Sequence, residues 1–169
     1  LTDIQSTKGG KLSKRKGSTS IQQLEEEGYL KEAIFNFTIL LGWAPKDNRE
    51  IFSLQEFVDN FQKGSLQIAN PVFNRKKLDW FNGYYIRQKT NKELLQLIES
   101  FAPKNAETGL IGKTIPLVKE RITKLSDYAS FAGFFFNEPV VDKSLFTSQA
   151  SDQLSQAKTV LESLTNWDK

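Results

Sequence analysis

The chain has 169 residues, 38% hydrophobic and 25% charged, enough for one domain or two small ones and too apolar to stay disordered. A formal net charge of only +3 means that any affinity for a polyanion must come from local clusters of charge. Cys and His are both absent, which removes disulfides, thiol nucleophiles, imidazole acid–base chemistry and Cys/His zinc sites, and no apolar run approaches the ~20 residues of a membrane span.

Residues 1–19 are polar and rich in Gly and Ser, with five basic side chains between Lys8 and Lys16. They read as a mobile loop, with the end of a strand as one option before it. Ser20 and Gln23 have capping-box spacing, so a short helix is expected over Ile21–Glu27, closed by Gly28. Leu30, Ala33, Ile34, Phe37, Leu40 and Leu41 then keep helical periodicity up to Gly42, with Pro45 behind it. Ser53 and Glu56 make a second capping box, for a helix carrying Phe57, Val58 and Phe61 and ending by Gly64.

Asn70-Pro71 is a turn, and Asn74 can cap a helix with Leu78, Phe81 and Tyr85 on one face. Thr90 and Glu93 form a third capping box, before Leu94, Leu97, Ile98 and Phe101. The glycines, Asn and Pro between Pro103 and Gly112 predict a connection. A helix is expected over Ile115–Leu125, with Val118, Ile122 and Leu125 inward. Ser126 is expected to cap the next one, carrying Tyr128, Phe131, Ala132 and Phe135 and stopping at Asn137-Glu138-Pro139. A last helix is expected over about Ser151–Trp167, with Leu154, Ala157, Val160, Leu161, Leu164 and Trp167. β-branched alternation is scarce and no internal repeat is visible. The fold class is therefore all-α for the most part, in two helical clusters.

The most telling stretch is Lys11-Leu12-Ser13-Lys14-Arg15-Lys16-Gly17, behind Gly9-Gly10. Flexible ammonium groups meet phosphate oxygens as point charges, and flanking glycines let the backbone move, so this loop can close over a polyphosphate. A solvated linker or a generic anion patch has the same composition. The loop resembles the signature of class I aminoacyl-tRNA synthetases, usually Lys-Met-Ser-Lys-Ser.

Three more stretches sharpen that resemblance: Gly28-Tyr29-Leu30-Lys31-Glu32-Ala33 leading to Leu40-Leu41-Gly42-Trp43-Ala44-Pro45, then Lys77-Leu78-Asp79-Trp80-Phe81-Asn82-Gly83-Tyr84-Tyr85-Ile86-Arg87, and finally Ile115-Pro116-Leu117-Val118-Lys119-Glu120-Arg121 with Phe134-Phe135-Phe136. In this order they resemble bacterial-type glutamyl-tRNA synthetase from its signature loop onward. The resemblance implies a signature loop at the end of the catalytic region over 1–19, a stem-contact helical domain over 20–89, and the first part of a helical-bundle anticodon-binding domain over 90–169. It also implies that the family's nucleotide-binding domain would lie before Leu1. A chain starting at Leu1 without any Met looks like a piece of a longer protein, inactive by itself.

By this resemblance the intact enzyme is a cytoplasmic ligase that joins L-glutamate to tRNA through glutamyl-adenylate, using ATP with Mg2+. Its tRNA is that of glutamate, with that of glutamine as an alternative, and it is expected to be a monomer with no membrane partner and no zinc in this segment. Lys14, the motif's second lysine, would contact ATP, Lys11 and Arg15 would add field, and Ser13 could donate a hydrogen bond. Leu12 replaces the motif's Met with another apolar anchor, and Arg15 stands where the motif ends in Ser.

The basic residues Arg75, Lys76, Lys77, Arg87, Lys119 and Arg121 could line a face along a phosphate backbone, or be ordinary surface charge. Trp43 and Trp80 are expected in the core rather than stacked on bases. Of Phe134, Phe135 and Phe136, one is expected to be exposed and packed on a neighbouring domain. No catalytic acid–base residue and no metal ligand is expected. Two rival functions remain at this stage: a stand-alone helical RNA-binding module without catalysis, and a protein-interaction domain. Glutaminyl enzymes are a further rival, but their anticodon domains are β-barrels where 90–169 reads as helices.

Overall fold

The computed structural model describes residues 4–7, 20–62, 65–66, 71–138 and 140–165. The signature-like loop lies outside them. Contacts divide the chain into two compact units, Leu1–Asn137 and Glu138–Lys169. Among the described residues strand is confined to β1 (Gln5–Ser6) and β2 (Val72–Phe73), which pair in parallel with Gln5 opposite Val72 and Ser6 opposite Phe73. The rest of the regular structure is helical.

In the first unit, three helices begin where the sequence signals them. Ser20 Oγ accepts from Gln23 N and Ser20 N donates to Gln23 Oε1, opening α1 (Ile21–Glu26). Ser53 and Glu56 do the same for α3 (Leu54–Asn60), and Thr90 and Glu93 for α5 (Asn91–Ile98). Each box satisfies two of the donors that a helix leaves unpaired at its start. Between them lie α2 (Lys31–Gly42) and α4 (Arg75–Gln88), the latter capped by Asn74, whose side chain accepts from Lys77 N. α3 ends sooner than expected: Phe61 is its C-cap, not part of the helix. The helix buries no residue of its own, so little burial favours its extension.

The largest departure falls between 103 and 132. Helix α6 spans Thr108–Val118, absorbing Gly109 and Gly112 from the expected connection and stopping before Leu125. Its stripe of Ile111, Thr114, Ile115 and Val118 is buried at i, i+3, i+4, i+7, and that packing outweighs the roughly 1 kcal/mol that each interior Gly costs. Pro116 lies within the helix on its exposed side. After Val118 the chain turns because Asp127 draws it away: its carboxylate accepts from Thr123 N at 3.0 Å, Thr123 Oγ1 at 3.0 Å and Lys124 N at 2.8 Å. A 3-10 turn over Leu125–Asp127 then leads into α7 (Tyr128–Ala132). Ser126 does not cap that helix; its hydroxyl donates to Glu27 O at 2.7 Å.

α2 packs along α4, and α5 along α6. Leu78, Phe81, Ile86, Leu94, Ile98, Ile115, Ile122 and Tyr128 are fully buried, so a single core runs through residues on both sides of position 90. Of the expected inward face of α7, Tyr128 and Ala132 are buried, while Phe131 and Phe135 are exposed; Phe134 is exposed too, and Phe136 packs against the core beside Tyr128. The short helix runs into a 3-10 turn at Gly133–Phe135, which breaks the periodicity on which the expected face rested.

The second unit holds α8 (Ala150–Ser163), which carries Leu154, Ala157, Val160 and Leu161 and buries none of its residues. Trp167 lies outside the described residues. Among the described residues, no helix is long and apolar enough to cross a membrane.

Candidate nucleic-acid interface

Helix α4 carries four of the six expected RNA-contacting cations, and the fold sorts them. Arg75 is paired with Glu27 at 2.8 Å and lies 5.7 Å from the centre of the Tyr29 ring. Lys77 is paired with Glu50 and lies 5.9 Å from the Phe81 ring. Both pairs are about two-fifths exposed, so each contributes little to stability and can be broken by a competing anion. Lys76 is exposed, and Arg87 folds back over Gly83, where a built Cβ would be 3.1 Å from the guanidinium. Neither is in an ion pair among the described residues.

The other two expected cations lie past α6. Lys119, its C-cap, donates from Nζ to Lys89 O at 2.5 Å, tying the end of α6 to the end of α4. Arg121 is exposed in the turn that follows. Lys11, Ser13, Lys14 and Arg15 lie outside the described residues.

The inner face of α4 is fixed by two asparagines. Asn82, fully buried, accepts from Leu30 N at 2.7 Å and donates to Thr123 O at 2.6 Å and Gly28 O at 3.2 Å. Asn36, also fully buried, donates to Glu50 O at 2.7 Å and accepts from Phe52 N and the Tyr85 hydroxyl. Burial, helped by the charges of Tyr84, Glu32 and Glu56, pushes the Tyr85 phenol up to about 12. Burial likewise raises Tyr29, whose hydroxyl donates to the Asp79 carboxylate. These phenols stay neutral donors at any physiological pH, so their hydrogen bonds to Asp79 and Asn36 are kept.

A cleft of about 610 Å3 opens beside Tyr29, Glu32 and Lys89 on one wall and Glu93, Leu97 and Phe101 on another. Its Lys89–Glu32 pair, at 2.7 Å, is half-buried. Partial burial pushes the Glu32 carboxyl up, but the Lys89 hydrogen bond, its own backbone N–H and nearby lysines outweigh it, leaving the group below its ordinary value.

Trp43 is buried, edge-on to Phe52 and Phe57 at 5.5 and 5.2 Å, as expected. Trp80 is not in the core: 48% of it is exposed. The buried stripe of Leu78, Phe81 and Ile86 leaves position 80 on the outer side of the helix, beside Lys76 and Tyr84. That spacing was the signal available for it.

The family model of the catalytic domain of class I tRNA synthetases for glutamate and glutamine (E and Q) matches residues 1–80, and an anticodon-binding domain model matches 90–169. The chain is similar to the class I tRNA synthetases of this glutamate and glutamine group along both matched segments. Among curated relatives it is 38% identical over 167 residues to glutamate–tRNA ligase 1 of Pseudothermotoga lettingae, covering 95% of this chain and 35% of that protein. It is 39% identical over 166 residues to the glutamate–tRNA ligase of Pseudoalteromonas translucida, covering 94% and 33%.

Among solved structures, it resembles a glutamate tRNA ligase from Elizabethkingia meningosepticum in complex with its amino acid, with a TM-score of 0.78 and 29% identity over 98% of this chain and 38% of that one. Glutamate-tRNA synthetase from Elizabethkingia anophelis gives a TM-score of 0.76 at 30% identity, over 96% and 37%. The chain thus spans about a third of the length of the relatives it matches.

Proposed function

We propose that this chain is the working middle of a glutamate–tRNA ligase, supplying the loop that closes over ATP and the helices on which tRNA docks. The observation that carries the reading is the order of the two family matches, a catalytic-domain model and then an anticodon-binding domain, along one chain similar to glutamate ligases over 95% of its length. In this reading 1–19 is the signature loop, 20–89 the stem-contact helices and 90–169 the first part of the anticodon-binding domain. The substrates of the whole enzyme are L-glutamate, ATP and the tRNA for glutamate, with that for glutamine as an alternative. It works as a monomer in the cytoplasm.

In the reaction, a glutamate carboxylate oxygen bonds to the α-phosphorus of ATP and pyrophosphate leaves. The terminal ribose hydroxyl of tRNA then attacks the glutamyl carbonyl, and AMP departs. Negative charge builds on the phosphate oxygens in the first step, and positioned cations there lower the barrier. Lys14 is assigned to the triphosphate, with Lys11 and Arg15 adding field and Ser13 donating a hydrogen bond. Mg2+ would come with ATP and would help to neutralise its phosphate charge; among the described residues no acidic cluster could hold a metal ion. Arg75, Lys76, Lys77, Arg87, Lys119 and Arg121 are assigned to tRNA phosphates.

The test is ATP–pyrophosphate exchange. A chain of these 169 residues alone is expected to show none. In a protein that joins it to an adenylate-forming pocket, Lys14→Ala is expected to slow exchange by about 10²-fold, the scale of losing one transition-state donor. An unchanged rate would show that the loop is only a linker.

A further inference from the structure

We propose that Trp80 and Tyr84 form a stacking platform for an unpaired base of the bound tRNA, with Lys76 and Arg87 holding the phosphates on either side. The proposal rests on the tRNA-docking reading above and adds to it the residues that grip a nucleotide rather than a phosphate alone.

Three observations carry it. The first is position. At about 100° per residue, Lys76, Arg87, Trp80 and Tyr84 fall within about 80° of arc on α4, away from its buried stripe. They run about 16 Å along the helix, from its first turn to its last, long enough to meet consecutive nucleotides.

The second is the state of the rings. Trp80 is 48% exposed, and its plane lies 26° from that of Tyr84 at a centroid distance of 6.3 Å, while Phe81 abuts it edge-on at 5.0 Å from the core side. The indole is thus braced from within and open without. Tyr84 lies beside it, and Gly83, which adds no side chain, leaves room for the Arg87 guanidinium next to that face. An exposed indole braced in this way is what a nucleobase stacks on, because every base has a π-face and the ring need not reorganise.

The third is charge. Arg75 and Lys77, on the flanks of α4, are taken by Glu27 and Glu50, while Lys76 and Arg87 have no ion pair among the described residues. Thus, on α4, the two cations without a carboxylate partner among the described residues are those that share the aromatic face. A cation–aromatic–aromatic–cation stripe matches a segment of nucleic acid in which a base is out of its helix and its phosphates are not. A paired base offers no free face, so the partner is an unpaired nucleotide.

The experiment measures binding of an unmodified transcript of glutamate tRNA to the chain by fluorescence anisotropy over a salt series. Trp80→Ala is expected to weaken binding about 5- to 100-fold with the slope of log Kd against log salt unchanged, because it removes stacking and no charge. Trp80→Phe is expected to keep most of the affinity. Lys76→Ala and Arg87→Ala should each reduce the slope by about one. Circular dichroism checks that the variants are folded, and Trp80→Gln serves where Trp80→Ala is not.

Wild-type binding that Trp80→Ala and Trp80→Gln leave intact would overturn the platform while sparing the docking reading. Failure of the wild type to bind at low salt would overturn both. A Trp80 contribution to fluorescence, taken as wild type minus Trp80→Phe, that acrylamide cannot quench in the free protein would mean that a protein surface covers the face, and would also overturn the platform.

Discussion

Asn82→Ala tests how the two helical clusters are joined. Asn82 lies in the middle of α4 with no exposed surface, and its amide serves three backbone groups from two distant segments: Leu30 N, Gly28 O and Thr123 O. Truncation leaves the Leu30 N–H without its acceptor. That group stands at the N-cap of α2, where no side chain of its own helix helps. Gly28 O keeps a second partner, because Leu125 N also donates to it at 3.0 Å. The loss is therefore one orphaned buried donor at about 1–3 kcal/mol, a partly relieved Thr123 carbonyl, and the vacated amide volume. We expect about 2–4 kcal/mol in all. With a urea m-value of about 2 kcal/mol/M this moves the midpoint down by about 1–2 M, read by tryptophan fluorescence and far-UV circular dichroism. A midpoint shift below about 0.3 M with unchanged m would show that water replaces the amide and that the bridge is not structural.

Gly28→Ala should destabilise by about 2–4 kcal/mol in the same assay: the residue has φ +89°, and an added Cβ would meet Ser126 N at 2.7 Å and Leu125 N at 2.8 Å, so left-handed strain and a backbone clash add. Lys89→Ala should cost about 1 kcal/mol at pH 7. Since Glu32 titrates below its ordinary 4.5 in the folded chain, the stabilisation from its pair is present above 4.5 and lost as pH falls through the lower folded value, so variant and wild type should converge in acid; a gap that persists there would assign the cost to packing of the lysine stem instead.

What the sequence made legible was local. Three capping boxes and the Asn74 cap are short-range hydrogen bonds between residues three apart, and each formed where spacing alone put it. Between 103 and 132 local signals misled, because Gly109 and Gly112 speak against a helix and only contact with the core favours one. Gly28 was legible as a helix terminator. Its second role, letting Leu125 and Ser126 approach, comes from residues nearly a hundred positions away and has no local signature. The buried pair of Thr114 Oγ1 and the Tyr128 hydroxyl, at 2.6 Å, is of the same kind. On α4 the cations were visible as composition, but which of them are neutralised depends on Glu27 and Glu50, carboxylates that only the fold brings near.

These long-range ties bear on how a docking face on α4 could matter to anything far from it. α4 ends at Gln88, and the Lys89 backbone carbonyl takes the Lys119 ammonium from the end of α6. From α4's middle, Asn82 holds Thr123, the residue that Asp127 also fastens. The turn from Lys119 to Asp127 is thereby held at its start by the C-cap of α4 and at its middle by α4 itself, while Gly28 and Glu27 close it from the other side through Leu125 N and the Ser126 hydroxyl. Side chains buried at the core between them, Leu94, Ile98, Ile122 and Tyr128, leave no slack for a hinge at residue 90, since close-packed interiors do not deform smoothly. A load placed on Trp80 by RNA is then transmitted to the chain around Lys119–Asp127 as displacement of a rigid body. If the proposed docking holds, the helices on either side of residue 90, up to Asn137, respond to tRNA together.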